Sequence, residues 1–291
     1  MLSILLRRLA LCAAAALPVQ PAAAQAPNPI QQALAAASQG PKDIALGDQA
    51  LLKLPEGKLF VPAPQAGEVL RAMGNPGEHK NIHGLVFPVT RAGWFAVLRW
   101  EAAGYVKDDD AKNWDAEALL KSYREGTEAS NAERRKLGGA EMEIVGWAEP
   151  PHYDAASHRL VWAMSSRDKG SHASPEQGVN YNTFALGREG YLSLNLVTDL
   201  NSLPTHKSQA QELLGALQFV EGKRYADFNS RTDKVAEYGL AALVLGVGAK
   251  KLGLFAVMAA FVLKFAKLFL LGGIGLLALL GKWLGRNKAS T

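Results

Sequence analysis

The sequence predicts an α+β fold with a largely antiparallel sheet and flanking helices, followed by a C-terminal transmembrane or membrane-associated helical segment. Two observations predict the α+β domain, and a third predicts the C-terminal segment. Candidate strands occur in runs joined by tight turns, and candidate helices group at the ends of those runs. The third observation concerns the stretch from Gly239 to Gly285, which has no acidic residue and only Lys as a charged residue. Such a stretch is typical of a segment in or against a membrane.

The N-terminus reads as a secretory signal peptide over residues 1–24. Arg7 and Arg8 supply its positive region, Leu9–Leu17 its short apolar core, and Ala22–Ala24 a small-residue cleavage site. Cleavage there removes Cys12, the only cysteine, so the mature chain has neither a disulfide nor thiol chemistry. The rest of the chain is therefore expected to be exported.

Residues 25–42 are rich in Ala, Gln and Pro and are expected to form a flexible leader. The whole chain has a formal charge of +5, and without Arg7 and Arg8 of the signal peptide it has +3. The segment from Gly239 onward contributes seven Lys and Arg residues, so the net charge of residues 25–238 is 3 − 7 = −4. The basic balance therefore belongs to targeting and anchoring, and nucleic acid is not an expected partner.

Residues 43–228 are long enough to bury a core as one exported α+β domain. Asp43–Leu54 and Lys58–Pro62 flank a turn and are predicted to pair as strands. A short helix begins at Pro64 and ends at Gly74–Gly77. Further strands are predicted at Gly84–Val89, Gly93–Trp100, Met142–Trp147, Arg159–Ser165, Val179–Leu186 and Tyr191–Val197.

Trp114–Lys136 is the clearest helix of this domain. Asp115 is its expected N-cap, and Gly138 and Gly139 end it. Its predicted buried face consists of Ala116, Leu119, Leu120, Tyr123 and Thr127. A last helix begins near Ser202, and Leu217–Val220 is expected to complete the sheet.

Residues 229–285 are predicted to form a membrane-proximal and transmembrane anchor, with a short basic tail at 286–291. Phe261–Leu284 is the best single span, because about 20 residues cross the hydrocarbon core. Two spans remain the alternative. The expected membrane-interface residues are Lys264, Lys267, Lys282, Trp283, Arg286 and Lys288. Their charge favours a bilayer with anionic headgroups.

Small residues recur at spacings of three and four in the first half of this anchor, and so lie along one helical face. They are Gly239, Ala242, Gly246, Ala249, Gly253, Ala256 and Ala260. Such a face lets helices pack closely, which favours self-association in a membrane. Two alternatives stay open: a composition that is simply common near membranes, and a small pore or lipid sensor formed by the tail.

Four phrases along the chain resemble a bacterial family of uncharacterised membrane-anchored proteins that is described as a domain of unknown function. They are Gly104–Asp110 (GYVKDDD), Gly146–Asp154 (GWAEPPHYD), Val179–Thr183 (VNYNT) and Arg224–Phe228 (RYADF). The resemblance covers nearly everything after the leader. It implies a periplasmic domain fixed to the inner membrane of a Gram-negative cell, and it brings no site residues.

Two groups of residues are candidates for chemistry. Asp108–Asp110 and Asp115 form the densest acidic cluster, but their spacing is not that of a calcium loop, and charge at a helix N-terminus is the favoured role. His152 and Asp154 share a face of an extended segment and could act as a general base. No spacing of a zinc, nucleotide or nucleophile-elbow motif occurs, so no cofactor is predicted.

Amide and hydroxyl side chains at Asn180, Asn182 and Thr183 can line a cleft for a sugar or peptide. The tryptophans that could accompany them are Trp94, Trp100, Trp147 and Trp162, for which a core position is the simpler interpretation. The leading hypothesis is a non-enzymatic binding or interaction protein with an envelope partner. The alternative is an envelope hydrolase that uses His152 or Asp108–Asp110.

Overall fold

The computed structural model describes residues 28–245, except 76–78, 91, 113, 137 and 171–176. The helices are α1 (Pro29–Ala36), α2 (Gln65–Ala72), α3 (Ala116–Lys136), α4 (Leu203–Gly215) and α5 (Leu240–Val244). The strands are β1 (Ser38–Gln39), β2 (Lys42–Leu46), β3 (Ala50–Leu54), β4 (Lys58–Pro62), β5 (Ile82–Pro88), β6 (Phe95–Glu101), β7 (Met142–Asp154), β8 (Arg159–Asp168), β9 (Gly178–Leu186), β10 (Tyr191–Asp199) and β11 (Leu217–Phe219).

Eight strands form one antiparallel sheet in the order β1-β4-β5-β6-β10-β9-β8-β7. The other three form a small sheet in the order β11-β3-β2, which is also antiparallel. The predicted α+β class with a large antiparallel sheet is therefore confirmed. The predicted signal peptide and membrane span lie outside the described residues, as do the six membrane-interface residues and the small residues from Gly246 onward.

The two faces of the large sheet are covered differently. Alternate residues of each strand, such as Leu194 and Leu196 of β10, point to one face and form a core with the small sheet and α4. The opposite face is covered by α1 and α2 over β4 and β5. At the other end of this face, α3 and α5 cover β7, β8 and β9. The middle of this face, over β6 and β10, lies between the two groups of helices.

The strand predictions need two corrections. Asp43–Leu54 contains two strands, because the chain reverses at Gly47, whose φ of 62° suits glycine. These strands pair with each other, whereas β4 pairs with β1 and β5. The predicted strand at Met142–Trp147 continues to Asp154, past Pro150 and Pro151. As β7 lies at the sheet edge and contains bulges, it tolerates residues without an N–H.

The expected flexible leader is folded from Asn28 onward. Asn28 Oδ1 accepts a hydrogen bond from the Gln31 N–H at 2.8 Å, and Gln31 Oε1 accepts one from the Asn28 N–H at 3.1 Å. This reciprocal capping box begins α1. Ala33 of α1 is buried, and β1 pairs with β4. Residues 28–42 are therefore part of the domain.

Residues 229–245, here termed the C-terminal strap, also pack against the domain. The Arg188 guanidinium binds both carboxylate oxygens of Asp233 at 2.6 and 2.8 Å, and it holds the Asp233 pKa well below its usual range. Tyr105 exchanges backbone hydrogen bonds with Lys234 and Ala236. The apolar side chains of α5 then enter the core beside α3, so this part of the predicted anchor belongs to the folded body.

Asp110 caps the N-terminus of α5, although it lies 130 residues earlier in the chain. Its two carboxylate oxygens accept hydrogen bonds from the N–H groups of Leu240 and Ala241, both at 3.0 Å. The predicted role of this acidic cluster at the N-terminus of α3 is therefore wrong for Asp110. Asp115 does cap α3, since its Oδ1 accepts from Glu117 N–H and Ala118 N–H.

Gly239→Ala is expected to destabilise the C-terminal strap. A Cβ at this position would lie 2.6 Å from Asp110 Oδ2, so the capping carboxylate must move. Loss of such a cap costs about 0.5–2 kcal/mol. Urea denaturation, with limited proteolysis of residues 229–239, measures the effect. Gly215→Ala at the end of α4 is the control, because its Cβ meets nothing within 4 Å. Equal behaviour of the two variants would refute the capping role.

Among the described residues, no helix combines the length and apolar character needed to cross a membrane. The longest, α3, has 21 residues and carries charged side chains along its length. The predicted span at Phe261–Leu284 therefore stays a prediction.

Candidate functional site

A cavity of about 1050 Å³ lies over the uncovered middle of the large sheet. We term it the central cleft. Its floor is formed by alternate residues of β6, β10 and β9, and its walls by the end of α2 and the second half of α3. The residues that line it include Leu70, Asn75, Phe95, Val97, Arg99, Gly126, Ala129, Ser130, Arg134, Asn180, Asn195 and Val197. It is more than twice as large as the cavity of about 430 Å³ beside β2 and β4.

Strand register brings the floor residues together. Val97 of β6 lies directly opposite Asn195 of β10, and Phe95 lies opposite Val197. Because side chains alternate between faces, Arg99 shares the face of Val97 and lies diagonally across from Asn195. On the far side of β10, Asn195 lies opposite Asn182. Apolar and polar side chains therefore share one floor.

The side of α3 that faces the cleft carries small residues. Gly126, Ala129 and Ser130 follow each other at helical spacing, so they leave room above the sheet. The helix is fixed to β7 by Asn131, which is 1 % exposed. Its side chain accepts from the Met142 N–H and donates to the Met142 carbonyl, both at 2.9 Å. The width of the cleft therefore depends on this attachment.

Arg99 is the cation of the floor. No hydrogen bond or ion pair joins its guanidinium to another residue in the described part of the chain. Burial lowers the Arg99 pKa and the nearby Glu101 carboxylate opposes that shift, but an arginine stays charged at neutral pH. Both oxygens of Glu101 already accept from Asn81 Nδ2, at 3.1 and 3.0 Å. The guanidinium can therefore bind an external anion.

Asn195 supplies an unpaired carboxamide next to this cation. Its Oδ1 is buried and has no hydrogen-bond partner among the described residues. An unpaired buried acceptor costs about 1–3 kcal/mol, so such atoms are rare in folded proteins. Asn180, which also lines the cleft, accepts at its carbonyl from Asn182 Nδ2 at 3.1 Å. The floor thus presents one charged donor group and amides with free hydrogen-bonding capacity.

The structure brings only part of the predicted cleft together. Asn180 lines the cleft, and Asn182 shares its face but is largely buried. Thr183 is fully buried and points to the other face, toward the small sheet. The four tryptophans occupy core positions: Trp94 and Trp100 pack toward the small sheet, and Trp147 and Trp162 lie beneath α3. An aromatic stacking surface is therefore not part of the cleft.

The aspartates of the predicted acidic cluster have separate structural roles. Asp108 Oδ2 accepts from the Tyr153 hydroxyl at 2.9 Å, while Asp110 and Asp115 cap α5 and α3. Within residues 28–245 as described, no group of three or more His, Cys, Asp or Glu side chains is arranged to hold a metal ion.

His152 and Asp154 do not form a pair. His152 Nδ1 lies 3.6 Å from Glu149 Oε1 in an exposed position. The Asp154 carboxylate accepts from the Ala156 N–H and the Ser157 hydroxyl in the turn before β8. The general base proposed for these two residues is therefore not assembled.

Tyr153, between them, belongs to an aromatic cluster that was not predicted from the sequence. Its hydroxyl lies 3.1 Å from His158 Nδ1, and the His158 ring lies 4.3 Å from that of Tyr225. Tyr225 stacks on Tyr105, and Tyr105 on Phe228. Burial, followed by the bond to Asp108, raises the Tyr153 pKa far above its usual value, so the phenol stays neutral. The cluster joins segments that are distant in the chain.

Three of the four phrases noted in the sequence meet in this cluster: Tyr105 and Asp108 come from one, Tyr153 from another, and Tyr225 and Phe228 from the last. A family model described as "Protein of unknown function (DUF2167)" matches residues 38–275. The chain belongs to this family. The DUF2167 match begins at β1, so it includes the strands that form the floor of the central cleft, and it extends beyond the C-terminal strap.

No curated protein matches this DUF2167 chain. One solved structure that it resembles is the solution structure of cyanobacterial PsbP (CyanoP) from Synechocystis sp. PCC 6803. The TM-score is 0.36 at 9 % sequence identity, over 63 % of this chain and 91 % of that chain. Similarity at this level carries no functional argument.

Proposed function

We propose that this DUF2167 protein is a non-enzymatic binding protein of the bacterial envelope, and that its ligand occupies the central cleft. The observation that carries the proposal is that Arg99, which forms no hydrogen bond or ion pair with a described residue, lies diagonally across from Asn195, whose Oδ1 is unpaired, on the floor of a large concave surface. Ligand sites are typically concave and mostly apolar, with a few converging polar groups. The central cleft has this composition.

The polar groups of the cleft suit binding better than catalysis. Glu133 at the rim pairs with Lys136 at 3.4 Å, and His79 Nε2 lies 3.1 Å from the Asn75 carbonyl. The floor contributes Arg99 and carboxamides, which bind and orient but do not exchange protons near neutral pH. A hydrolase would need a nucleophile or an activated water beside a base. The described residues of the cleft do not place such a pair together.

The location in the envelope is also our proposal, and sequence features support it. Residues 1–24 have the composition of a signal peptide, and the Lys-punctuated segment after the strap has that of an anchor. We propose a periplasmic domain held at the inner membrane, with anionic headgroups near Lys264 and Lys267 and self-association through the tail. An envelope protein partner would then meet the domain close to the bilayer.

The test is to find what the protein carries when it is isolated. The full chain is produced in a Gram-negative host, purified from membranes in mild detergent and extracted for mass spectrometry. We expect at least one small molecule to be enriched near equimolar amount over an unrelated inner-membrane protein purified in the same way. If nothing is enriched over that control, the binding proposal fails.

A further inference from the structure

We infer that the ligand of the central cleft is a short peptide-like acid, whose carboxylate binds Arg99 and whose backbone amides bind Asn195 and Asn180. The inference rests on the proposed function and adds the chemical class. The charge, the hydrogen-bonding groups and the spacing of the floor support it.

The charge of the cleft calls for an anion. Residues 25–238 carry a net −4, yet the floor carries Arg99 and the rim Arg134. Glu101 interacts with Arg99 electrostatically but forms no direct ion pair with it, and its oxygens accept from Asn81, while Glu133 pairs with Lys136. A guanidinium in a partly buried site favours a planar carboxylate, to which it donates two parallel hydrogen bonds.

The carboxamides on the floor indicate that the ligand carries hydrogen-bonding groups in addition to its anionic group. Asn195 Oδ1 is shielded from solvent and accepts no hydrogen bond from a described residue, so a rotation of the carboxamide toward the cleft would let it accept from an N–H or O–H of the ligand. A peptide group offers an N–H donor and a carbonyl acceptor together, which matches the two ends of a carboxamide. A fatty acid carboxylate at Arg99 has no N–H or O–H to donate, and an inorganic phosphate at Arg99 is too small to span the roughly 7–8 Å to a diagonal neighbour, so both would leave the Asn195 oxygen unpaired.

The spacing fits two residues of an extended peptide. Diagonal neighbours on adjacent antiparallel strands, such as Arg99 and Asn195, are separated by about 7–8 Å. An extended chain advances about 3.3–3.6 Å per residue. A terminal carboxylate at Arg99 therefore places the amide two residues earlier near Asn195. Apolar side chains of the peptide then lie against Phe95, Val97 and Val197.

The experiment is isothermal titration calorimetry on the full chain in detergent. The four probes are a pool of acetylated tripeptides randomised over Ala, Leu and Phe with a free C-terminal carboxylate, the same pool with a C-terminal amide, octanoate, and inorganic phosphate. We expect the acid pool to bind at least about tenfold more tightly than the amide pool, because a hydrogen-bonded charge pair is lost. Octanoate and phosphate are expected to bind more weakly than the acid pool.

Two substitutions assign the contacts. Arg99→Gln is expected to weaken binding of the acid pool at least about tenfold and to leave the amide pool unchanged. Asn195→Leu is expected to weaken both pools. Lys121→Gln is the matched control, because it removes a positive charge from a 79 % exposed side chain on α3 outside the cleft. The Lys121→Gln variant should bind the acid pool with the same affinity as the unmodified protein.

The outcomes separate this inference from the proposed function. If octanoate or phosphate binds in an Arg99-dependent manner and the acid pool does not, the peptide class is wrong although the cleft binds a ligand. If no probe binds, the peptide class is also wrong, and the proposed function is then judged by the co-purification experiment alone. Equal affinity for the acid and amide pools would overturn the carboxylate contact with Arg99.

Discussion

Gly126→Trp is expected to abolish ligand binding while leaving the free energy of unfolding unchanged or slightly higher. Gly126 is in α3 on the wall of the central cleft, and a Cβ added there meets nothing within 4 Å. An indole at this position therefore extends into the cleft above the floor. Glycine inside a helix costs roughly 0.5–1 kcal/mol relative to alanine, and tryptophan recovers part of that cost. The molecule that co-purifies with the unmodified protein should be missing from this variant.

Gly126→Ala provides the matched control. It makes the same backbone change and gains helix propensity, but its methyl group does not fill the cleft. We expect it to retain the ligand and to unfold at an equal or higher temperature. If the alanine and tryptophan variants carry equal amounts of ligand, the ligand is bound elsewhere on the protein.

The largest expected effect on stability is that of Asn131→Ala. Asn131 is almost fully buried, and its side chain forms hydrogen bonds with both the N–H and the carbonyl of Met142. The substitution leaves two backbone groups unpaired at the start of β7, and each such group costs about 1–3 kcal/mol. We expect a loss of about 2–4 kcal/mol in the free energy of unfolding, measured by urea denaturation.

Ser130→Ala is the control for this prediction. Ser130 is the preceding residue on α3, and its hydroxyl donates to the Gly126 carbonyl one turn earlier, within the helix. Its removal should change stability by less than about 0.5 kcal/mol, as is usual for surface substitutions. Comparable losses for the two variants would show that α3 does not depend on the Asn131 bridge to β7.

Much of the sheet could be predicted from local pattern. In β10, Leu192, Leu194 and Leu196 alternate with less apolar residues, and this period of two is the signature of a strand with one buried face. The pattern also places Asn195 on the opposite face, where a polar residue suggests solvent. It does not show whether a helix covers that face, because coverage depends on packing between segments distant in sequence.

The cleft and the strap escaped prediction for that reason. Arg99 could have indicated the cleft from the sequence, because it is a charged residue that follows the apolar run Phe95–Leu98 inside a predicted strand. Its partnership with Asn195 depends on the pairing of β6 with β10, which are about a hundred residues apart. In the same way, no local rule connects Asp110 to the start of α5. Side chains that satisfy distant backbone groups can be recognised only in the folded chain.

The most direct test of the central claim is photocrosslinking in living cells. A photoreactive amino acid is placed at Ser130, inside the cleft, and in a second variant at Lys121, on the solvent side of α3. After irradiation of the intact envelope, mass spectrometry of the full chain should show a small-molecule adduct at position 130 and none at position 121. No adduct at position 130, or equal adducts at both positions, would contradict the assignment of the central cleft as the binding site.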